Sequence, residues 1–137
     1  MSDRITSHDE AYACTSSGKS IGPCARSVFV LANAEAQSGP SDGVVRYGQK
    51  VKFESNPYIY SKKLYLHSTQ VSPQFYARFS RHQEVCMSAK NIYNCVWRIL
   101  HSNPNFRQTS LGQPVDSNAP ILIEHCATSH FLASDKI

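Results

Sequence analysis

The sequence predicts a mostly β domain of short strands, preceded by a long N-terminal loop segment. Three observations carry that expectation. Apolar and polar residues alternate with period two over residues 50–54 and again over 64–67, the mark of half-buried strands. Short β-favouring runs recur along the chain with Gly, Pro and Asn turn signals between them, the habit of a sandwich or barrel. Part of the pattern also repeats. Val45, Val51 and Phe53 return as Val115, Ile121 and Ile123 at a constant offset of 70 residues, which points to one supersecondary unit used more than once.

Residues 1–25 are rich in Ser, Thr, Gly and Ala, and Gly22-Pro23 closes them as loop. Gly18-Lys19-Ser20 has the ending of a phosphate-binding loop. The first glycine of that motif would stand at position 13, which is Ala13, and no strand precedes it, so the motif is rejected. The run Ser27-Val28-Phe29-Val30-Leu31 reads as a strand and residues 37–43 as a turn. Two strands follow over 50–54 and 64–67, separated by the break at Asn56-Pro57. Val51, Phe53, Leu64 and Leu66 point to the core, with Lys50, Lys52, Glu54, Tyr65 and His67 on the opposite faces.

Residues 72–79 allow two readings. Phe75 and Phe79 have helical spacing behind Ser72-Pro73, while short extended structure fits equally well. Strands are then expected over 84–87, 95–100 and 121–123, with a weaker one at Phe131-Leu132. Turns fall at Asn103-Pro104-Asn105 and at Leu111-Gly112-Gln113-Pro114. The repeat extends to Tyr47-Gly48 opposite Ser117-Asn118. With four residues gapped, Tyr65-Leu66-His67-Ser68 falls opposite Phe131-Leu132-Ala133-Ser134.

Length and composition bound the class. A chain of 137 residues has the size of one domain, and 41% hydrophobic with 18% charged residues is a globular rather than a disordered composition. No stretch approaches the ~20 apolar residues of a membrane span. The polar first ten residues lack the apolar run of a signal peptide, so the expected compartment is continuous with the cytosol. Cys14, Cys24, Cys86, Cys95 and Cys126 are odd in number and show no C-x-x-C spacing. They read as free thiols, with Cys86, Cys95 and Cys126 as small core residues.

The net charge of +4 is unevenly spread. Residues 44–107 hold ten Lys/Arg against Glu54 and Glu84, whereas residues 1–43 and 108–137 each have a small acidic excess. A basic block of this kind favours an acidic partner surface. It lacks the dense Lys/Arg patch or aromatic signature of a nucleic-acid binder. Catalytic chemistry is poorly represented. No serine lies in G-x-S-x-G, carboxylates are scarce in the middle, and His125, Cys126 and His130 lack a second ligand pair at zinc spacing. A Cys-His pair brought together by the fold stays open. Trp97 reads as core and His125 as a hydrogen-bonded structural histidine.

The order Val45-Arg46-Tyr47-Gly48-Gln49, Leu64-Tyr65-Leu66-His67-Ser68, Gln83-Glu84-Val85 and Trp97 resembles the MIR-type β-trefoil repeat. With Ile21-Gly22, Val28-Phe29-Val30-Leu31, Gly112-Gln113-Pro114-Val115, Asn118-Ala119, residues 121–128 and Leu132, the set resembles the cilia- and flagella-associated protein 161 family. The resemblance implies an incomplete MIR-like β-trefoil over residues 27–134, an extended N-terminal segment over 1–26 and a tail over 135–137. The trefoil would hold the end of one unit (27–32), one whole unit (44–100) and the opening of a third (115–134), leaving unpaired strand edges.

It further implies a non-enzymatic microtubule inner protein without cofactor or metal, bound to α/β-tubulin and other inner proteins in the lumen of the ciliary doublet's A-tubule. Neither nucleic acid nor membrane is an expected partner. Lys62, Lys63, Arg78, Arg81 and Arg107 are the candidate contact residues, chosen for charge and loop position. The alternative is a MIR-like module for a carbohydrate or small ligand, with Asn56, Tyr58 and Tyr60 as its candidate site.

Overall fold

The structure is a computed structural model and describes residues 10–12, 24–35 and 42–134. Eight short strands among these residues form one curled, antiparallel sheet, a half-barrel without an α-helix. They are β1 (Glu10–Tyr12), β2 (Phe29–Asn33), β3 (Lys50–Ser55), β4 (Tyr65–Ser68), β5 (Val85–Ser88), β6 (Trp97–His101), β7 (Ile121–His125) and β8 (His130–Phe131). The sheet runs β1-β5-β4-β3-β6-β7-β8, and β2 adds to β3. Strand β3 is the hinge of this arrangement. One edge carries β2 along its whole length, while the other is shared between β6 at Lys50–Val51 and β4 at Glu54.

The concave side of the sheet holds the core. Tyr47, Val51, Leu64, Leu66, Met87, Trp97 and Ile99 form its buried cluster, with Phe29, Phe53, Val85, Val115 and Ile123 packed against it. Val51, Leu64 and Leu66 thus point inward as the alternation predicts, with Phe53 partly buried beside them. His67 lies on the face opposite Leu66 as the alternation predicts but is not solvent-exposed: Leu66, His67 and Ser68 are all buried, so both faces of β4 are covered. One buried polar atom stands without a partner among the described residues, the hydroxyl of Tyr60. An unsatisfied buried hydroxyl costs ~1–3 kcal/mol. Tyr60→Phe should therefore raise stability by about 1 kcal/mol, read as a higher urea midpoint at unchanged slope.

The repeat is present at the level of backbone geometry. Gly48 (φ 83°) and Asn118 (φ 64°), 70 residues apart, both occupy the left-handed region. The same hydrogen bond closes both turns, from Gln49 N–H to Arg46 C=O at 3.2 Å and from Ala119 N–H to Asp116 C=O at 3.1 Å. Asparagine is the non-glycine residue best suited to this conformation, which accounts for a repeat that keeps the shape without the identity.

A second correspondence lies upstream and leaves only one identical residue, Val28 with Val96, in the sequence. The 3₁₀ turns Ala25–Ser27 and Tyr93–Cys95 each precede a valine, Val28 or Val96, and then a strand. The valines have matching dihedrals (φ -90°, ψ 128° and φ -92°, ψ 128°). Strand β2 then pairs with β3 as β6 pairs with β7. Phe29↔Ser55, Leu31↔Phe53 and Asn33↔Val51 correspond to Trp97↔His125, Ile99↔Ile123 and His101↔Ile121. Two hairpins of one construction therefore stand side by side, joined through β3 and β6.

Several expectations need correction. Residues Glu10–Tyr12 form a strand on the β5 edge rather than loop, and Ala25–Ser27 is a 3₁₀ turn. Strand β2 starts at Phe29 instead of Ser27. The Ser27 hydroxyl donates to Cys24 C=O at 2.9 Å and accepts from Cys24 N–H at 3.2 Å, which holds that stretch in the turn. Residues 72–79 form neither helix nor strand. Ser72 and Phe75 exchange backbone hydrogen bonds in both directions, and Ala77 N–H donates to His82 C=O. The motifs Gly18-Lys19-Ser20 and Ile21-Gly22, most of the 37–43 turn and the 135–137 tail lie outside the described residues.

Candidate interaction surface

The strands β4 and β5 are joined by a long loop over residues 69–84, and it carries the most conspicuous exposed chemistry of the molecule. Phe79 is 73% exposed, Phe75 58%, and Val71 and Tyr76 are also exposed. The Arg78 guanidinium lies over the Phe79 ring at 5.5 Å from its centroid, and that of Arg81 over Tyr76 at 4.8 Å. Two cation–π pairs thus place the arginines over the aromatic rings. Arg81 adopts φ 62° and donates its N–H to Ala77 C=O at 2.9 Å, which turns the loop tip back on itself.

The base of this loop is held by a polar network. Ser68 Oγ donates to Glu84 C=O at 2.7 Å, and the Gln83 amide nitrogen reaches Ser68 Oγ at 2.7 Å and Thr128 Oγ1 at 3.1 Å. Its carbonyl oxygen meets His130 Nδ1 at 3.0 Å. Buried His125 completes the network, with Nδ1 2.8 Å from Thr128 Oγ1 and Nε2 2.8 Å from Asn94 C=O. A carbonyl only accepts, so Nε2 carries the proton. The ordered base and the exposed aromatic and cationic tip make this loop the candidate interaction surface, since Arg and aromatic residues dominate binding hot spots.

The five predicted contact residues do not form one patch. Lys62 and Lys63 precede β4, whereas Arg78 and Arg81 lie in the loop after it, so a strand of about 13 Å separates the pairs. Lys63 makes an ion pair with Glu54 at 3.3 Å. Arg107 is half-buried, donating to His101 C=O at 3.2 Å and lying over Phe131 at 5.2 Å. Much of the basic block is likewise engaged. Arg46 pairs with Asp42, Lys50 with Glu35 and Arg98 with Glu124, while Lys52 bonds Asn91. The Val44 N–H, then Arg46, hold the Asp42 carboxyl below the usual carboxylate range. Charge and loop position selected Arg78 and Arg81 but missed Phe75, Tyr76 and Phe79. The signal for them was three aromatics within the five residues 75–79, with no acid among residues 69–83.

Other chemistry is built less well. Asn56 donates to Ala25 C=O at 3.0 Å and accepts from Tyr58 N–H at 3.0 Å, and Tyr60 is buried. The proposed sugar site is therefore a packed turn with Tyr58 alone at the surface. His67 and Cys86 face each other across β4 and β5, with Nδ1 and Sγ 3.8 Å apart, a long hydrogen bond to sulfur. A depression of about 250 Å³ is lined by residues that include Tyr47, His101, Phe106 and Asp116. No group of three metal-ligating side chains occurs among the described residues, and no helix among them is long and apolar enough to cross a membrane.

The cysteines differ in environment. Cys24 is exposed, and hydrogen bonding to the Ser27 side chain lowers its thiol pKa. Cys95 is buried and Cys126 half-buried, and burial pushes both thiols up. Of these three, Cys24 should be alkylated first by iodoacetamide at neutral pH and Cys95 last, as followed by peptide mass spectrometry.

These features define a class: a repeat-built, all-β half-barrel that presents an aromatic-arginine loop. The comparisons with known proteins give it a family. The model of the cilia- and flagella-associated protein 161-like domain matches residues 4–137. The zebrafish (Danio rerio) cilia- and flagella-associated protein 161 is 34% identical over 116 residues, covering 84% of this chain and 37% of the relative. The bovine (Bos taurus) protein of that name is 30% identical over 93 residues, 68% of this chain and 29% of the relative. The chain belongs to the cilia- and flagella-associated protein 161 family, and the matches span about a third of these relatives' length.

Proposed function

We propose that this chain is a structural component of cilia and flagella, a microtubule inner protein held on the luminal face of the doublet's A-tubule. Its partners in this reading are α/β-tubulin and other inner proteins, and its fold is an incomplete MIR-like β-trefoil. The role is structural rather than catalytic. Membership of a family named for cilia and flagella supports the location. The paired hairpins and the strand pair β4–β5 between them support the trefoil reading. The observation that carries the binding role is the exposed tip of the 69–84 loop, where Phe75, Tyr76 and Phe79 are interleaved with Arg78 and Arg81. It offers apolar anchors and positive charge together, the complement of an acidic protein surface with apolar recesses.

The test is retention in ciliated cells. The tagged chain should remain along the axoneme after detergent and salt extraction. Phe75→Ala with Phe79→Ala should weaken retention by about thirtyfold, the effect of losing ~2 kcal/mol of anchoring. Arg78→Glu with Arg81→Glu should weaken it further at low salt than at high salt. A wild-type chain that stays cytoplasmic, or washes out as readily as the double alanine variant, would overturn the reading.

A further inference from the structure

The depression at the end of β6 brings aromatic rings and a carboxylate together. Tyr47 lies in the turn before β3, His101 ends β6, and Phe106 closes the 3₁₀ turn Pro104–Phe106. Their rings follow one another. The His101 ring centroid is 5.3 Å from that of Tyr47 and 5.7 Å from that of Phe106. Tyr47 is buried, whereas Phe106 is 54% exposed. The rest of the wall comes from the segment 107–116, and the backbone fixes it in place. Tyr47 N–H donates to Gln113 C=O at 3.0 Å, and Gly112 N–H donates back to Tyr47 C=O at 2.9 Å. Ser110 N–H bonds Phe106 C=O and Gln113 N–H bonds Ser110 C=O, both at 2.9 Å. The site is therefore built in the free chain, and a ligand need not order it.

The polar side chains along this wall already use their donors. The Thr109 hydroxyl donates to Phe106 C=O and the Ser110 hydroxyl to Arg107 C=O, both at 3.3 Å. The Gln113 amide nitrogen donates to Thr109 C=O at 3.5 Å. What these groups retain is mostly acceptor capacity, on two hydroxyl oxygens and one amide oxygen. Asp116 adds an exposed carboxylate, and among the described residues it has no ion pair. No Lys or Arg lines the depression. The cations closest in sequence to its walls are engaged elsewhere. Arg46 is held by Asp42 and the Gly112 carbonyl, and Arg107 by the His101 carbonyl and the Phe131 ring.

We propose that this depression is a recognition site for one arginine side chain of a partner protein. Its volume of about 250 Å³ is below the ~300–1,000 Å³ of a drug-sized ligand site and suits a single side chain. A guanidinium carries five donors, no acceptor and a permanent positive charge. It supplies what the wall lacks, with Asp116 receiving the charge-assisted bonds. A guanidinium also stacks on aromatic faces, and Phe106 offers an exposed ring in the same depression. The pairing already occurs inside the chain, where Arg78, Arg81 and Arg107 lie over Phe79, Tyr76 and Phe131. A sugar matches less well, because its hydroxyls leave the Asp116 charge uncompensated. The site is opposite in sign to the basic tip of the 69–84 loop, so its partner is chemically distinct from the acidic surface proposed for that tip. The inference does not depend on the ciliary role.

The test titrates N-acetylarginine amide into the isotope-labelled full chain at matched ionic strength, followed by NMR at the backbone amides of Thr109, Ser110, Gln113 and Asp116. These should shift together and saturate with a Kd on the order of millimolar, the strength of one side chain on a preformed site. Asp116→Asn should weaken binding by about tenfold, the loss of one charge-assisted contact. Asn keeps the backbone carbonyl that closes the 116–119 turn, and unchanged amide shifts across β3 and β6 verify that this variant is folded. Phe106→Ala should weaken binding by about threefold. N-acetylcitrulline amide, close in shape but uncharged, should bind about tenfold more weakly than the arginine probe, and N-acetyllysine amide severalfold more weakly. Unmoved amides at about ten times the expected Kd overturn the proposal. So does citrulline or lysine binding as tightly as arginine, or an Asp116→Asn variant that binds like wild type. Stronger shifts of the same amides by methyl mannoside would overturn it in favour of a sugar. None of these outcomes bears on axonemal retention, so the two proposals fail separately.

Discussion

Trp97→Ala is expected to lower the unfolding free energy by about 3–5 kcal/mol, a large share of the ~5–15 kcal/mol that holds a domain folded. The residue is 1% exposed, the largest of the fully buried side chains. It opens β6 at the point where three strands meet, opposite Val51 of β3 and His125 of β7. Its indole N–H donates to Leu66 C=O at 2.9 Å, which ties β4 to the same point. Alanine removes the aromatic packing and leaves the Leu66 carbonyl without this donor. Trp97→Phe keeps most of the packing and loses the donor, so its cost should be nearer 1–2 kcal/mol. Urea unfolding of the two variants separates the contributions. A loss below about 1.5 kcal/mol for alanine would mean that the core closes around the space, contrary to a close-packed junction.

The parts of this fold that were legible in the sequence are those set by local chemistry. Alternation at 50–54 and 64–67 placed β3 and β4, and the left-handed turn before each repeated strand left its trace as Gly48 and Asn118. Elements made by distant contacts were not legible. Strand β1 is three residues long and exists through its pairing with β5, more than 70 positions away. His67 looked outward by alternation because nothing in its own strand tells that both faces of β4 are covered. The candidate site divides along the same line. Arg78 and Arg81, chosen for charge and loop position, are exposed, but charge alone could not show that Lys63 is paired with Glu54 or that Arg107 packs over Phe131. The second repeat correspondence, residues 24–33 with 92–101, rests on dihedral angles and register. Cys24-Ala25-Arg26-Ser27 and Ile92-Tyr93-Asn94-Cys95 share no residue at equivalent positions, and Val28 with Val96 is the one identity over the ten, too little to reveal it without the folded backbone.

His125→Ala should be the second large loss, about 2–4 kcal/mol, and its origin differs from that of Trp97. The histidine is 1% exposed at the end of β7, and its ring lies 4.7 Å from that of Trp97. Both nitrogens are used, Nε2 on the Asn94 carbonyl and Nδ1 on Thr128 and Gln83. Alanine therefore opens space beside the indole and also orphans buried polar groups, each costing ~1–3 kcal/mol. His125→Asn retains a polar group at smaller volume and should recover part of the loss. Because the two rings touch, the losses cannot simply add. A double-mutant cycle with Trp97→Ala should give a coupling of about 0.5–1.5 kcal/mol, and additivity would show that the rings are independent. The loop base gives a further readout, since Gln83 bonds both His125 and Thr128. If His125 holds that base, its loss should speed proteolysis within residues 69–84 more than Trp97→Phe does at equal global stability. Equal cleavage in the two variants would assign His125 to the core alone and leave the loop to be held by Gln83 and Ser68.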